Sequence, residues 1–189
     1  MKSILTKLIF SVVLLTLSIG NAGADSLWNT LKQGNHFVLI RHALAPGYSD
    51  PNNFNVKDCK TQRNLNDEGR NQSKEIGELF KKNGITSAAV YSSQWCRCLE
   101  TARLLNLGNV YQLSALNSFF ENFEQRDPQT TLLSQWINTT PLDTPTILVS
   151  HQVNISALTG YSPSSGELVF VRREADGNVT IIGTIPTLR

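Results

Sequence analysis

The segment His36-Phe37-Val38-Leu39-Ile40-Arg41-His42 decides how the rest of the chain is read. Its unbroken apolar run is too short for a helix and reads as a buried strand, and buried strands belong to sheets covered by helices on both faces. Arg41 and His42 then stand at the carboxyl end of that strand, where open α/β sheets collect their ligands. The same arrangement recurs at Thr146-Ile147-Leu148-Val149-Ser150, which leads into His151. Ile85 to Tyr91 reads as a further strand, which leads into Ser92-Ser93 and, a few residues on, Arg97. Three strand ends carrying polar groups point to one site. His36, the remaining histidine, opens the first run, where a surface position accounts for it.

Strand-like and helix-like segments alternate along the chain. Asn66 can cap a helix from Asp67 to Lys82, with Ile76, Leu79 and Phe80 on one face and Asn83-Gly84 as its stop. A second helix is expected from Gln94 to Leu107, a short strand at Val110 to Leu113, a helix at Thr130 to Ile137, and a short helix from Val153 to Leu158 closed by Gly160. Residues 43 to 64 and 114 to 129 read as loops, the first rich in Pro, Asn, Asp and Gly and long enough to be functional. Glu167 to Arg172 and Val179 to Ile182 flank Asp176-Gly177, a hairpin signal. The expected fold is a three-layer α/β sandwich with a mostly parallel central sheet and a C-terminal antiparallel hairpin.

The amino-terminal end has a different character. Lys2 and Lys7, the apolar stretch Leu8 to Ile19 and the tripeptide Ala22-Gly23-Ala24 together describe a secretory signal peptide over residues 1 to 24. That stretch is about 12 residues, short of the ~20 that span a bilayer. Export to the periplasm or beyond is the expectation, with residues 25 to 189 as a single domain and no stable membrane span. The chain carries 17 Lys and Arg against 15 Asp and Glu. Losing Lys2 and Lys7 with the signal leaves the remainder formally neutral, so the charge gives no support for nucleic acid as a partner. Cys59, Cys96 and Cys98 would then meet oxidising conditions, giving one disulfide and one spare thiol, with three unpaired buried thiols as the alternative. Cys96 and Cys98 are too close on one helix start to pair with each other, which makes Cys59 the common partner of either. No His or Cys spacing resembles a metal-ligand set, and no cofactor is expected.

The chemistry follows from the residue types at the strand ends. Arg41 and Arg97 can hold phosphate oxygens through their planar forks, and the first turn of the helix carrying Arg97 adds unpaired N-H groups. A neutral histidine in such a site can attack phosphorus itself, and the guanidiniums keep it unprotonated. Phosphate monoesters are the ligand class this suggests. Arg63 either reaches the phosphate from the 43 to 64 loop or pairs with an acid such as Asp58. Trp28, Trp95 and Trp136 are most simply packing residues. Gln152 and Asn154 could bond substrate or cap the helix after His151, and Thr101 reads as a helix residue.

Four blocks of sequence, in order, resemble the histidine phosphatase superfamily, which includes phosphoglycerate mutases and acid phosphatases. They are Leu39-Ile40-Arg41-His42-Ala43, Asn64-Leu65-Asn66-Asp67-Glu68-Gly69-Arg70, the stretch from Ser92-Ser93 through Arg97 to Thr101-Ala102, and Val149-Ser150-His151. The resemblance implies that His42 is the phosphorylated nucleophile and that Arg41, Arg97 and His151 hold the phosphoryl group. It also implies that Cys96 is the partner of Cys59, because the position after Arg97 is commonly small and buried in that pattern. Ala43 stands where glycine is usual in that pattern, and two further features depart from it. The acid that protonates the leaving oxygen is expected shortly after a leucine-asparagine pair or directly after the second histidine, yet Leu116-Asn117 is followed by Ser118, and His151 by Gln152. Glu121 is the leading candidate for that acid and Glu124 the next. The implied activity is hydrolysis of phosphate monoesters on an envelope component such as a glycolipid, or on a small periplasmic ester. A non-catalytic phosphate-binding module is the alternative, and a phosphomutase the lesser one.

Overall fold

The computed structural model describes residues 22–187. The expected targeting segment therefore lies outside the described residues as far as residue 21. A helix, α1 (Ala22–Thr30), begins within the tripeptide read as its cleavage site. Six strands form one sheet: β1 (His36–Arg41), β2 (Ala89–Ser92), β3 (Val110–Gln112), β4 (Thr146–Ser150), β5 (Leu168–Arg173) and β6 (Val179–Ile185). Their order is β3-β2-β4-β1-β5-β6, with β1 to β4 mutually parallel and β5 and β6 antiparallel. This is the mixed α/β architecture expected, and the hairpin closes one side.

Alternation along β1 explains the layers. Val38 and Ile40 face a core shared with Trp28 and Leu31, with α2 (Asp67–Lys82) and with α3 (Cys96–Leu104). Phe37 and Leu39 face the opposite core, built with α4 (Arg126–Thr139) and α5 (Gln152–Thr159). All four side chains are fully buried, so every second residue of the strand anchors a different helical layer. Trp28 belongs to the first core, edge-on to both Phe80 and Phe170 at 5.0 Å. It is a packing residue, on a helix that the sequence pattern did not predict.

The ladder also sets the site. Register pairs Arg41 with Ser150 and Ser92 with Val149, and the bonding continues one residue past the strands. The His42 amide donates to the Ser150 carbonyl and the Ser93 amide to Val149, both at 2.9 Å. Three carboxyl ends are thereby held level. The backbone after His42 is pinned against α2: the Leu44 amide donates to Gln72 Oε1, and a Cβ added at Gly69 would lie 2.0 Å from the Leu44 carbonyl oxygen. Only glycine admits that approach.

Several boundaries differ from the sequence reading for physical reasons. Ile85 is not the start of a strand. It closes α2: Gly84, at φ 76°, donates to Lys81, and Ile85 donates back to Phe80 while burying its side chain. This is the Schellman arrangement, in which an apolar residue follows the left-handed glycine for packing and not for pairing. The second strand pairs from Ala89. α3 is shorter than expected, because Asn106 adopts φ 51° and ends it before Gly108. α4 is longer, since Pro128 falls within its first turn, where a missing N-H leaves no bond unmade. Residues 114 to 129 are consequently only partly loop, with short 3-10 turns at Ser114–Leu116 and Phe123–Gln125.

Candidate active site

The carboxyl ends of β1, β2 and β4 open into a cavity of about 610 Å³. Arg41, His42, Arg63, Arg97, Glu121 and His151 all line it. His42 and His151 face each other with ring centroids 5.6 Å apart, both almost wholly buried. His42 Nδ1 lies 2.8 Å from the Ala43 carbonyl oxygen. A carbonyl can only accept, so Nδ1 carries the proton and Nε2 keeps its lone pair. His151 is fixed the other way round. Its Nδ1 sits 3.3 Å from Arg97 Nη2, which can only donate, so its Nε2 carries the proton and donates to Ser93 Oγ at 2.9 Å. Ser93 Oγ in turn donates to Asn117 Oδ1 at 3.3 Å.

Electrostatics keep both rings neutral. Burial pushes His42 well below the usual histidine range, and the Arg97, Arg63 and Arg41 charges push the same way against a weaker opposing pull from Ala43. Burial likewise depresses His151, followed by Arg97. A buried uncharged imidazole with a free nitrogen is a nucleophile at neutral pH. The arginines crowd one another: Arg63 is lowered to about 10, by burial first and Arg97 second, and so remains a cation.

Each guanidinium is oriented by fixed acceptors. Arg41 donates to the Pro163 carbonyl at 3.1 Å, and Arg63 to the Ala45 carbonyl. Arg97 donates to both oxygens of Asp50, at 2.8 and 3.1 Å. The Nε groups of all three are buried and have no protein acceptor. Such donors suit an anion with several oxygens.

The structure narrows several alternatives that the sequence left open and adds contacts at two residues. Arg63 does not pair with Asp58, whose carboxylate caps its own 3-10 turn from the Lys60 amide. Glu121 reaches the cavity from an exposed position on its rim, whereas Glu124 does not line it. Gln152 lines the cavity, but Asn154 turns away to bond the Asn117 carbonyl. Thr101 is more than a helix residue, because its hydroxyl accepts from the Ala43 amide next to His42. Trp95 is more than packing, since it lies edge-on to His151 at 5.5 Å and donates Nε1 to Asp50 at 3.0 Å.

Asp50 is the residue that sequence reasoning missed. Its carboxylate accepts from Arg97, from Trp95 and from the Arg63 amide, and its side chain is only 8% exposed. Nothing local distinguished it from the other acids of a polar loop. A second feature of that loop is the Cys59–Cys96 disulfide, with Cα atoms 5.6 Å apart, which ties it to the first residue of α3. Cys98 is the free thiol, and burial pushes it up to about 12.

Solved structures share this fold. The protein histidine phosphatase SixA complexed with tungstate is 16% identical and aligns over 80% of this chain and 97% of its own, with a TM-score of 0.57. A mycobacterial glucosyl-3-phosphoglycerate phosphatase complexed with VO3 is 14% identical over 78% of this chain and 96% of its own, with a TM-score of 0.57. The phosphoserine phosphatase of Entamoeba histolytica in complex with 3-phosphoglyceric acid is 14% identical over 80% and 97%, with a TM-score of 0.56. No curated protein matches the chain in sequence. The blocks around His42, Asn66 and Arg97 nonetheless fall inside a single family match, over residues 37–131, that takes in just over half the sequence, and by it the chain belongs to the histidine phosphatase superfamily (branch 1).

Proposed function

We propose that the chain hydrolyses phosphate monoesters through a phosphohistidine on His42. The observation that carries this reading is the pairing of a buried, neutral His42, its Nε2 lone pair unengaged, with three arginines in one cavity. Nε2 attacks phosphorus and the ester P-O bond breaks. Arg41, Arg63 and Arg97 hold the phosphoryl oxygens as charge develops, with His151 orienting Arg97 through Nδ1, and Glu121 protonates the leaving oxygen. Water then attacks the phosphohistidine, passes a proton to the Glu121 carboxylate, and releases phosphate with His42 restored.

The substrate we propose is a phosphate ester of the cell envelope, either on a glycolipid or on a small periplasmic molecule. Two features support it: the signal-like amino terminus, and a disulfide of the kind that persists in oxidising compartments. SixA, phosphoserine phosphatase and glucosyl-3-phosphoglycerate phosphatase, which share the fold, are all phosphatases by name and lend the reaction class further support. A second reading, a non-catalytic phosphate-binding module, is favoured by the exposed setting of Glu121 and by Ser118 and Gln152 lining the cavity where acids are expected. One experiment separates the two. With p-nitrophenyl phosphate the protein turns over, His42→Ala does not, and EDTA leaves the rate intact. Phosphate binding without turnover of this or other esters would establish the binding module instead.

A further inference from the structure

We infer that the site selects phosphate esters whose leaving group is uncharged and carries a ring, a specificity that rests on the phosphatase reading above. Beside its arginines the cavity is walled by aromatic side chains from three separate segments. Phe54, from the loop after β1, stacks on Trp95 at 5.0 Å with 25° between the rings, and Trp95 continues the wall down to His151. Across from it stands Phe120, which meets Tyr48 edge-on at 5.2 Å. All four rings line the same cavity as the two histidines.

Two properties of that wall point to an occupant. Tyr48 is 82% exposed, so its ring is held at the mouth by Phe120 with most of its surface left for another group to cover. Aromatic faces and edges held in this way stack on flat or apolar rings, and each contact of this kind adds roughly two- to tenfold to an equilibrium beyond area burial. The charge distribution supplies the second property. No lysine lines the cavity among the described residues, and in the phosphatase reading the three arginines that do are taken up by the phosphoryl group itself. Among the described residues that line the cavity, the charged side chains besides those arginines are both carboxylates, Asp50 buried against Arg97 and Glu121 exposed. A leaving group bearing its own carboxylate or second phosphate would find no further cation there and one exposed like charge, an arrangement that selects against it.

Benzyl phosphate and ethyl phosphate test this directly. Both leave as primary alcohols of similar acidity, so a difference in kcat/KM reports contacts to the ring and not leaving-group chemistry. The wild-type protein is expected to prefer benzyl phosphate at least tenfold, and to disfavour 3-phosphoglycerate relative to ethyl phosphate. In the Tyr48→Ala/Phe120→Ala double variant the benzyl preference is expected to fall at least threefold. Equal kcat/KM for the two esters, a preference for 3-phosphoglycerate, or a benzyl preference that survives in the double variant would each overturn the inference. If no ester is turned over at all, the phosphatase reading fails but this one is still decided. Benzylphosphonate should then bind at least tenfold tighter than ethylphosphonate by calorimetry, and equal affinities would refute it.

Discussion

His42 is set by its burial and Arg97 is anchored chiefly by one carboxylate, and both arrangements can be probed by changing one group. For His42 the sign follows from burial: its protonated form is disfavoured, so nucleophilic competence extends to lower pH than an ordinary histidine would allow. The acid limb of kcat/KM with p-nitrophenyl phosphate, which reports the free enzyme, is therefore expected below pH 6.5 once the ionisation of the free substrate, titrated separately, is divided out. A limb centred at or above 6.5 would mean that another group, or a solvated His42, sets it. For Arg97 the neighbour is Asp50, and the two side chains are 4% and 8% exposed. Removing one partner of a buried pair strands the other charge, at a cost of about 3–5 kcal/mol. Asp50→Ala is expected to lose that much in urea unfolding, and a loss under ~1 kcal/mol would show that the pair behaves as a surface contact. The two residues also differ in how legible they were. His42 follows four buried apolar residues, a pattern visible in sequence, whereas Asp50 owes its importance to Arg97, which lies 47 positions away.

The loop between β1 and α2 is held as an element by one covalent link. It carries Tyr48, Asp50, Phe54 and Arg63 to the cavity, and the Cys59–Cys96 bond ties its middle to the start of α3, beside Trp95 and Arg97. The link closes a separation of 37 residues, for which loop-closure entropy predicts a stabilisation of about 4 kcal/mol, with measured values more often ~2–4. Cys59→Ser is expected to lower stability by that amount and to lower the rate with p-nitrophenyl phosphate, because the same loop orients Arg97 through Asp50. Unchanged rate and midpoint would show that the loop is held by its hydrogen bonds alone, such as those from Gln62 to the Asn55 and Val56 carbonyls. Elements were legible where local chemistry and tertiary role agreed. α2 runs from the Asn66 cap to Asn83 as the sequence predicts, and β4 spans the expected residues. They were misread where an apolar residue served a turn, as Ile85 does, or where a helix is anchored through distant rings, as α1 is by Phe80 and Phe170.

For the whole molecule, the two neutral histidines couple the site to folding. Both have folded-state pKa values depressed by burial, so above the unfolded value of ~6.5 neither state binds the protons and stability does not respond to these groups. As pH falls through ~6.5 the unfolded chain takes up two protons that the folded chain refuses, and stability is lost until the folded values are reached. Between pH 7.5 and 5.5 the loss is as much as ~1.4 kcal/mol per histidine, or ~2.7 kcal/mol for the pair. Carboxylates contribute little in that window, because most titrate below it. Urea midpoints measured across the window should fall accordingly, and His42→Gln should lose only half as much. Inorganic phosphate sharpens the test. It binds only the folded cavity, so it should raise the midpoint at every pH by mass action, and His42→Gln should retain most of that rise because the arginines remain. A midpoint flat from pH 7.5 to 5.5 would mean that the histidines protonate in place, and with that the account of a neutral nucleophile buried among arginines would fail.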